Sequence, residues 1–432
     1  MEKFISAATK YMWAIGIAFV IMALLAFRYL FPAPPSTLKI AASSEGSYFA
    51  QTAQEYQSEL AKEGIKLQII HTNGAAENLA LLNEGKVDLA LSHGGLTDPK
   101  SSPNLISLGS LSYEPVWVFQ RKGIKTITDL SQLKGLRIAI GKSGSGVRVI
   151  ARKMLKLSGV DETNTTFIEL GVEESEKQLL NSKIDAAFFM DPPENDKIHS
   201  FFTHDIINEV NLTDAEALRR HLRFLHVTRI PASTIDLKLE QPHHDMTTVS
   251  TTATLAANKN LHSAIQYLLM SVIDKAHHKP TLISEEDEFP ADKDVDLPLS
   301  AEAEVFYKNG KPVLQRYLPF ELASIVERLI KVILPILLLA LPIIKLIPSF
   351  FNWRVKNKLF KCYRALIEVE KQVHQIGSRK SAREFEEMLN GIEDKLNAEK
   401  IPLSFSNEVY VLREHIELAR RQIYKYLETN KA

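Results

Sequence analysis

The chain is poor in cysteine, in net charge and in catalytic signatures, and each shortage excludes something. One cysteine, Cys362, occurs in 432 residues. A disulfide within one chain is impossible, and so is a zinc site built on thiolates. Export stays open, because a domain of this size can fold without disulfides. Basic and acidic residues number 52 each, so the overall charge carries no footprint of a nucleic-acid partner. Gly141-Lys142-Ser143 resembles the end of a phosphate-binding loop, but Gly135 stands one residue too far upstream and the expected strand falls inside the interval. The same stretch through Ser145 lacks the last glycine of a nucleophile elbow. His243-His244 and His277-His278 are adjacent pairs, which cannot both face one metal from regular structure and read as surface histidines. The acidic run Glu285-Glu286-Asp287-Glu288 lacks the alternating ligand spacing of a calcium loop and reads as a flexible linker. No enzymatic reaction, metal or cofactor is expected.

What the chain does have is two apolar runs. Lys3 and Lys10 precede the first, Tyr11 to Phe27, and Arg28, Pro32, Pro34 and Pro35 follow it. This pattern describes a signal peptide or a signal anchor. The prolines after Ala33 obstruct cleavage and favour an uncleaved anchor over residues 1–35. The second run is Leu329 to Ile347. Its uninterrupted part, Val332 to Ile344, is shorter than the roughly 18 residues that mark a spanning helix alone. Lys331 and Lys345 at its edges can snorkel and extend it, and transmembrane helices tolerate Pro335 and Pro342. Trp353, Arg354, Lys356, Lys358, Lys361 and Arg364 then form an aromatic and basic exit. An interfacial or re-entrant hairpin is the alternative. Two spans, the second over 326–350, place both termini in the cytoplasm and residues 36–325 outside, at a bacterial inner membrane facing the periplasm.

The outer segment alternates strand and helix, which implies parallel α/β units. Strands are expected at Thr37–Ala42, Leu67–His71, Val87–Leu91, Arg137–Ile140, Thr166–Leu170, Ala186–Met190 and Met246–Ala256. Helices are expected over Ser47–Glu63, Glu77–Glu84, Val147–Leu157, Glu174–Ser182 and Leu261–Lys275. Two such series predict two lobes, the first over 36–118 and 228–320 and the second over 119–227. The crossings, and hence the hinges, are expected near Glu114–Phe119 and His226–Pro231. Ligands of open α/β sheets bind at the carboxyl ends of strands. The loops there are small and polar: Ser43-Ser44-Glu45-Gly46-Ser47-Tyr48, Thr72-Asn73-Gly74-Ala75-Ala76-Glu77-Asn78, Ser92-His93-Gly94-Gly95 and Gly141-Lys142-Ser143-Gly144-Ser145-Gly146. Glycines admit a ligand close to backbone, and amides at helix starts favour an anion. Ordinary βα turns are the bland alternative.

Ser44-x-Gly46-x-Tyr48, Thr72-Asn73-Gly74-Ala75-x-Glu77-Asn78-Leu79, Gly85-Lys86-Val87-Asp88-Leu89-Ala90, Leu111-x-Tyr113-Glu114-Pro115-Val116-Trp117 and Gly141-x-x-Gly144-Ser145-Gly146 with Arg148 occur in order. Together they resemble the TAXI group of TRAP-transporter solute-binding proteins, over roughly Leu38 to Ala276. Gly310-x-Pro312-x-Leu314-x-Arg316-Tyr317-Leu318-Pro319-Phe320 resembles the membrane-anchored subgroup. The resemblance implies a two-lobed clamp, the Venus-flytrap or periplasmic-binding-protein fold, that closes on a small organic anion. A dicarboxylate or an amino acid such as glutamate would be handed to a TRAP-type permease. The chain departs from the pattern at Ala75, at His93 and at Asp191-Pro192-Pro193.

The candidate ligand contacts are Ser44, Tyr48, Asn73, Gly74, Asn78, His93 and Tyr113 from the first lobe, and Ser143, Ser145 and Arg148 from the second. Arg148 suits a carboxylate bidentately, and reads equally as a solvated helix residue. Tyr48 reads equally as a core residue. The tail, 351–432, shows helical periodicity from Val355 and two further helices, Ser381–Glu399 and Glu408–Glu428. A cytoplasmic helical hairpin or coiled coil follows, with self-association, a cytoplasmic protein or the lipid surface as partner. A ligand sensor signalling through this tail is the alternative function.

Overall fold

The computed structural model describes residues 17, 20, 21, 25, 27–29, 32–373 and 379–429. They form two compact units, Ala33–Glu327 and a second comprising Met1–Pro32 with Arg328–Ala432.

The first unit opens with β1 (Thr37–Ala42), α1 (Tyr48–Lys62), β2 (Lys66–His71), α2 (Ala75–Asn83), β3 (Leu89–His93) and the long β4 (Leu105–Arg121). Ser47 caps α1 by accepting from the Ala50 amide at 3.3 Å. Phe49, Ala53, Tyr56 and Leu60 recur at helical spacing and are buried against the sheet. The chain continues through β5 (Arg137–Ala139), α3 (Gly146–Leu157), β6 (Thr166–Ile168), α4 (Val172–Leu180), β7 (Ala186–Met190), α5 (Asp196–Phe202), β8 (Ile207–Glu209), α6 (Ala215–His221) and β9 (His226–Ile230). It then runs through β10 (Met246–Asn258), α7 (Ser263–His277), α8 (Ala301–Asn309) and α9 (Val313–Tyr317).

The strands form one mixed sheet, ordered β2-β1-β3-β10-β4-β7-β5-β6, with β8 on β4 and β9 on β10. The β1–β2, β1–β3, β5–β6 and β5–β7 pairs are parallel, as the sequence predicts. The exception is at the centre, where β4 and β10 run antiparallel through both lobes, from Ser250 opposite Pro115 to Asn258 opposite Leu105. The first core packs Leu38, Tyr56, Leu91, Leu255 and Ile265. The second packs Val116, Ile138, Ile150, Phe188 and Val249. In the second lobe Asp185 accepts from Arg121 Nε at 2.9 Å and from the Arg137 backbone amide at 2.9 Å. The Arg137 guanidinium holds its carboxyl far below the usual range.

Three expectations need correction. The second crossing is β10, not His226–Pro231: β9 pairs with Met246–Ser250 inside the second lobe, so that lobe extends to about Ser250. The acidic run is solvated, with Glu285 to Asp287 exposed, but it is held rather than loose: the Asp287 amide donates to His278 O at 3.0 Å, and the segment after it is packed. Phe289 is buried, Ala291 donates to Ser110 O at 3.0 Å, and Asp296 accepts from the Gly95 amide at 2.6 Å. His277 turns inward, its Nε2 2.8 Å from Tyr56 Oη.

The other unit holds most of α10 (Phe320–Val373), with α11 (Arg379–Ala398) and α12 (Ser406–Thr429). Leu359, Leu366 and Val369 of α10 pack with Leu389, Ile392 and Leu396 of α11 and Leu412, Ile416 and Ile423 of α12. The tail is thus a three-helix bundle rather than a hairpin, because the third apolar stripe lies on the helix that precedes it. Among the described residues no helix is long and apolar enough to cross a membrane, so the two flanking spans expected from the sequence find no support there. Most of Tyr11 to Phe27, and several side chains of Leu329 to Ile347, lie outside the described residues.

Candidate functional site

Helix starts and strand ends from the two lobes converge on a cleft. The Glu77 amide at the start of α2 donates to Gly144 O at 3.0 Å across it. Lys153 of α3 donates to Gly95 O on the opposite lobe. Gly74, at φ +142°, sits so close that a Cβ there would lie 2.7 Å from Ser145 Cα. The clamp is therefore shut, and only glycine supplies both the backbone angle and the clearance at this seam.

Two adjoining cavities of about 110 Å³ each remain inside. They share Ser47, Asn73, Ser145, Val147, Met190 and Asp191. The outer one adds Ser44, Lys142, Glu173 and Lys197. The inner one adds Phe49, Gly74, His93 and Glu114. A groove of about 180 Å³ on the outer face of the first lobe is larger; of its four charged residues, Glu59, Glu63, Lys275 and Lys311, Glu59 and Lys275 pair with each other at 2.7 Å.

The inner wall is polar and dry. His93 Nε2 lies 2.7 Å from Glu114 Oε2, and both side chains are under one tenth exposed. The imidazole stacks on Phe49 at 4.7 Å, which fixes its orientation. Neither His93 Nδ1 nor Glu114 Oε1 has a hydrogen-bond partner, although both are buried. Asp191, at the end of β7 in the other lobe, faces the backbone amide of Tyr48 at the start of α1. Burial and the neighbouring Glu114 charge push its pKa up to about 8, against the opposing pull of Lys197. At the outer rim Lys197 pairs with Glu173 at 2.6 Å and lowers that carboxyl's pKa.

Of the residues singled out from the sequence, Ser44, Asn73, Gly74, His93 and Ser145 line the cavities. Ser145 also caps α3, accepting from the Arg148 amide at 3.3 Å. The other five lie off the cavity walls. Asn78 is fully buried behind the wall, donating to Leu91 O at 2.8 Å and accepting from Thr72 Oγ1 at 2.5 Å. Tyr48 points back toward Ser112 Oγ, at 3.3 Å. Tyr113 alternates to the strand face opposite Glu114 and packs edge-on against Phe289 at 4.9 Å. Ser143 is exposed on the loop, and Arg148 pairs with Glu169 of its own lobe. Glu114 and Asp191 also line the inner cavity and were not singled out. The signals were present in the crossing motif Tyr113-Glu114-Pro115 and in the departure at Asp191-Pro192-Pro193.

Two lobes that share two strands and shut over a polar cleft at their strand ends define a periplasmic-binding-protein-like α/β fold. The model of the NMT1-like family matches residues 40–309, and the chain belongs to that family. Solved structures similar to the chain include an ancestral arginine-binding protein bound to arginine (13% identity, 56% of this chain and 93% of that one, TM-score 0.38). Others are the alkanesulfonate-binding protein SsuA from Xanthomonas axonopodis pv. citri bound to MOPS (16% identity, 56% and 74%, TM-score 0.38) and the periplasmic aliphatic sulphonate binding protein SsuA from Escherichia coli (14% identity, 71% and 83%, TM-score 0.38).

Gly74→Ala is expected to hold the lobes apart. Small-angle scattering should show a larger radius of gyration than wild type, and ligand affinity should fall at least about tenfold, or ~1.4 kcal/mol. An unchanged radius and affinity would show that the seam tolerates a side chain. Asp191 gives a second test. Its pKa is raised in the fold from 3.8 to about 8, so the stability it contributes is complete below the lower value and is lost as pH rises to the upper one. The melting temperature of wild type should therefore fall more between pH 5 and about 8 than that of Asp191→Asn. Parallel profiles would refute the assignment.

Proposed function

We propose that the chain is a non-catalytic solute-binding protein that closes on a small organic anion, a dicarboxylate or an amino acid such as glutamate. It would present that anion to a permease of the TRAP type, as a member of the membrane-anchored TAXI group. The observation that carries the reading is the convergence of three helix starts, α1, α2 and α3, on one closed cleft. The positive ends of such helices, with Lys142 and Ser145 beside them, suit an anionic group. Closure that buries a ligand against both lobes makes the shut form the tighter binder and shifts the population toward it. Ser44, Asn73, Gly74, His93 and Ser145 are the contacts this reading keeps.

The site of action we propose is the bacterial inner membrane, with the clamp on the periplasmic side and both termini inside. Support comes from the lysine-led apolar run at the N-terminus, and from Val332 to Ile344 between Lys331 and Lys345, followed by the basic exit. A tethered clamp serves a partner within reach in the same membrane. The three-helix bundle, with its own core, favours a second reading in which ligand capture is signalled to a cytoplasmic protein.

Full-length protein mixed with L-glutamate, succinate, glutarate and taurine should melt several degrees higher with at least one of them. No shift with any would count against solute binding. Reporter fusions at Ser300 and Ala432 should report opposite compartments, and a shared compartment would remove the second span.

A further inference from the structure

At the inner end of the cleft a buried carboxylate oxygen has no donor. Glu114 approaches from the first lobe and Asp191 from the second, on the wall of the same cavity. The side-chain donor that reaches Glu114, His93 Nε2, is spent on its Oε2, whereas Asp191 has the Tyr48 backbone amide and the Asn195 side chain beside it. That leaves Glu114 Oε1 buried with nothing to accept from, and His93 Nδ1 likewise unpartnered. If Nε2 carries the imidazole proton, Nδ1 is a third unused acceptor. An unsatisfied buried carboxylate oxygen costs free energy unless a donor reaches it. Lys142 and Lys197 line only the outer cavity, while Ser145 lines both. The cleft thus carries its lysines at the outer end and the Glu114 carboxylate at the inner end, over cavities that together hold only a small molecule.

Building on the solute-binding reading above, we infer that Glu114 and Asp191 form a cation subsite contributed by both lobes. The ligand is then a small zwitterion, whose protonated amine lies between these two carboxylates while its acid group meets the outer donors. A plain dicarboxylate would set its second negative charge against Glu114. An ammonium has three donors, enough for Glu114 Oε1, Asp191 and one further acceptor. Because the two carboxylates belong to different lobes, the amine also ties the lobes together. Closure then becomes specific for amine-bearing acids, and binding should draw Asp191 into its ionised form.

The test is a set of matched pairs on the full-length protein, each pair differing by the amine alone: L-glutamate with glutarate, β-alanine with propionate, and taurine with ethanesulfonate. The amine-bearing member of at least one pair should raise the melting temperature and bind at least about tenfold more tightly than its partner by calorimetry. Asp191→Asn should erase that preference while leaving the unliganded protein folded. Glu114→Gln should do the same, and Asp191→Asn decides the matter if loss of the His93 pair prevents folding of the Glu114 variant. Amine-free acids that bind as well as their partners would overturn the cation subsite and leave solute binding standing. A preference that survives Asp191→Asn would also overturn it. Silence from all six compounds would overturn both readings together.

Discussion

Everything in the binding unit hangs on two strands that do not stop at the edge of a lobe. β4 and β10 run antiparallel from one core into the other, and their ladder is continuous except for irregularities between Ala253 and Ala256. Ser250, Thr251 and Thr252 are almost completely buried in it. Small β-branched and hydroxylated residues allow both faces to be covered while the backbone bonds remain intact. Because the two strands are shared, the parallel strands on either side present their carboxyl ends to one another. Four polar loops distant in sequence therefore meet at one cleft, and any opening must be absorbed by bending and twisting of these two strands.

Burial governs the inner wall of the cleft. Arg121 and Arg137 fully pair Asp185 elsewhere in the second lobe, and its carboxyl is driven down. Asp191, a few residues further along the same strand and turn, has no such partner and is driven up. The same side chain in two surroundings shows the logic: desolvation sets the direction unless a cation reverses it. A wall of that kind holds a small ligand through charge and donor geometry more than through apolar contact.

Much of the fold was legible. β7 falls at Ala186–Met190 as expected, and β1 at Thr37–Ala42. Most other elements of the binding unit lie within a residue or two of expectation, since short apolar runs between glycine-rich turns leave little choice. The second crossing was misjudged because only pairing shows which of β9 and β10 continues into the first lobe. Site residues fared unevenly for a related reason. Strand alternation sends Tyr113 and Glu114 to opposite faces, and the sequence does not say which face borders the cleft. Arg148 looked like an anion partner, but Glu169, brought up by the neighbouring parallel strand, claims it.

The sequence by itself determined the alternation of strands and helices, the polar loops at the strand ends and the helix starts that cap on Ser47 and Ser145. These are local, depending on periodicity and on side chains that reach only a turn away. It also held the apolar runs and basic exit on which the membrane proposal rests. Tertiary structure alone decided that β10 is the shared strand, that the segment after the acidic run packs as a strap, and that Glu114 and Asp191 face one cavity. Each of these joins residues far apart in the chain. Whether a carboxylate ends beside an arginine or beside another carboxylate depends on which loops the closed lobes bring together, and no local pattern encodes that.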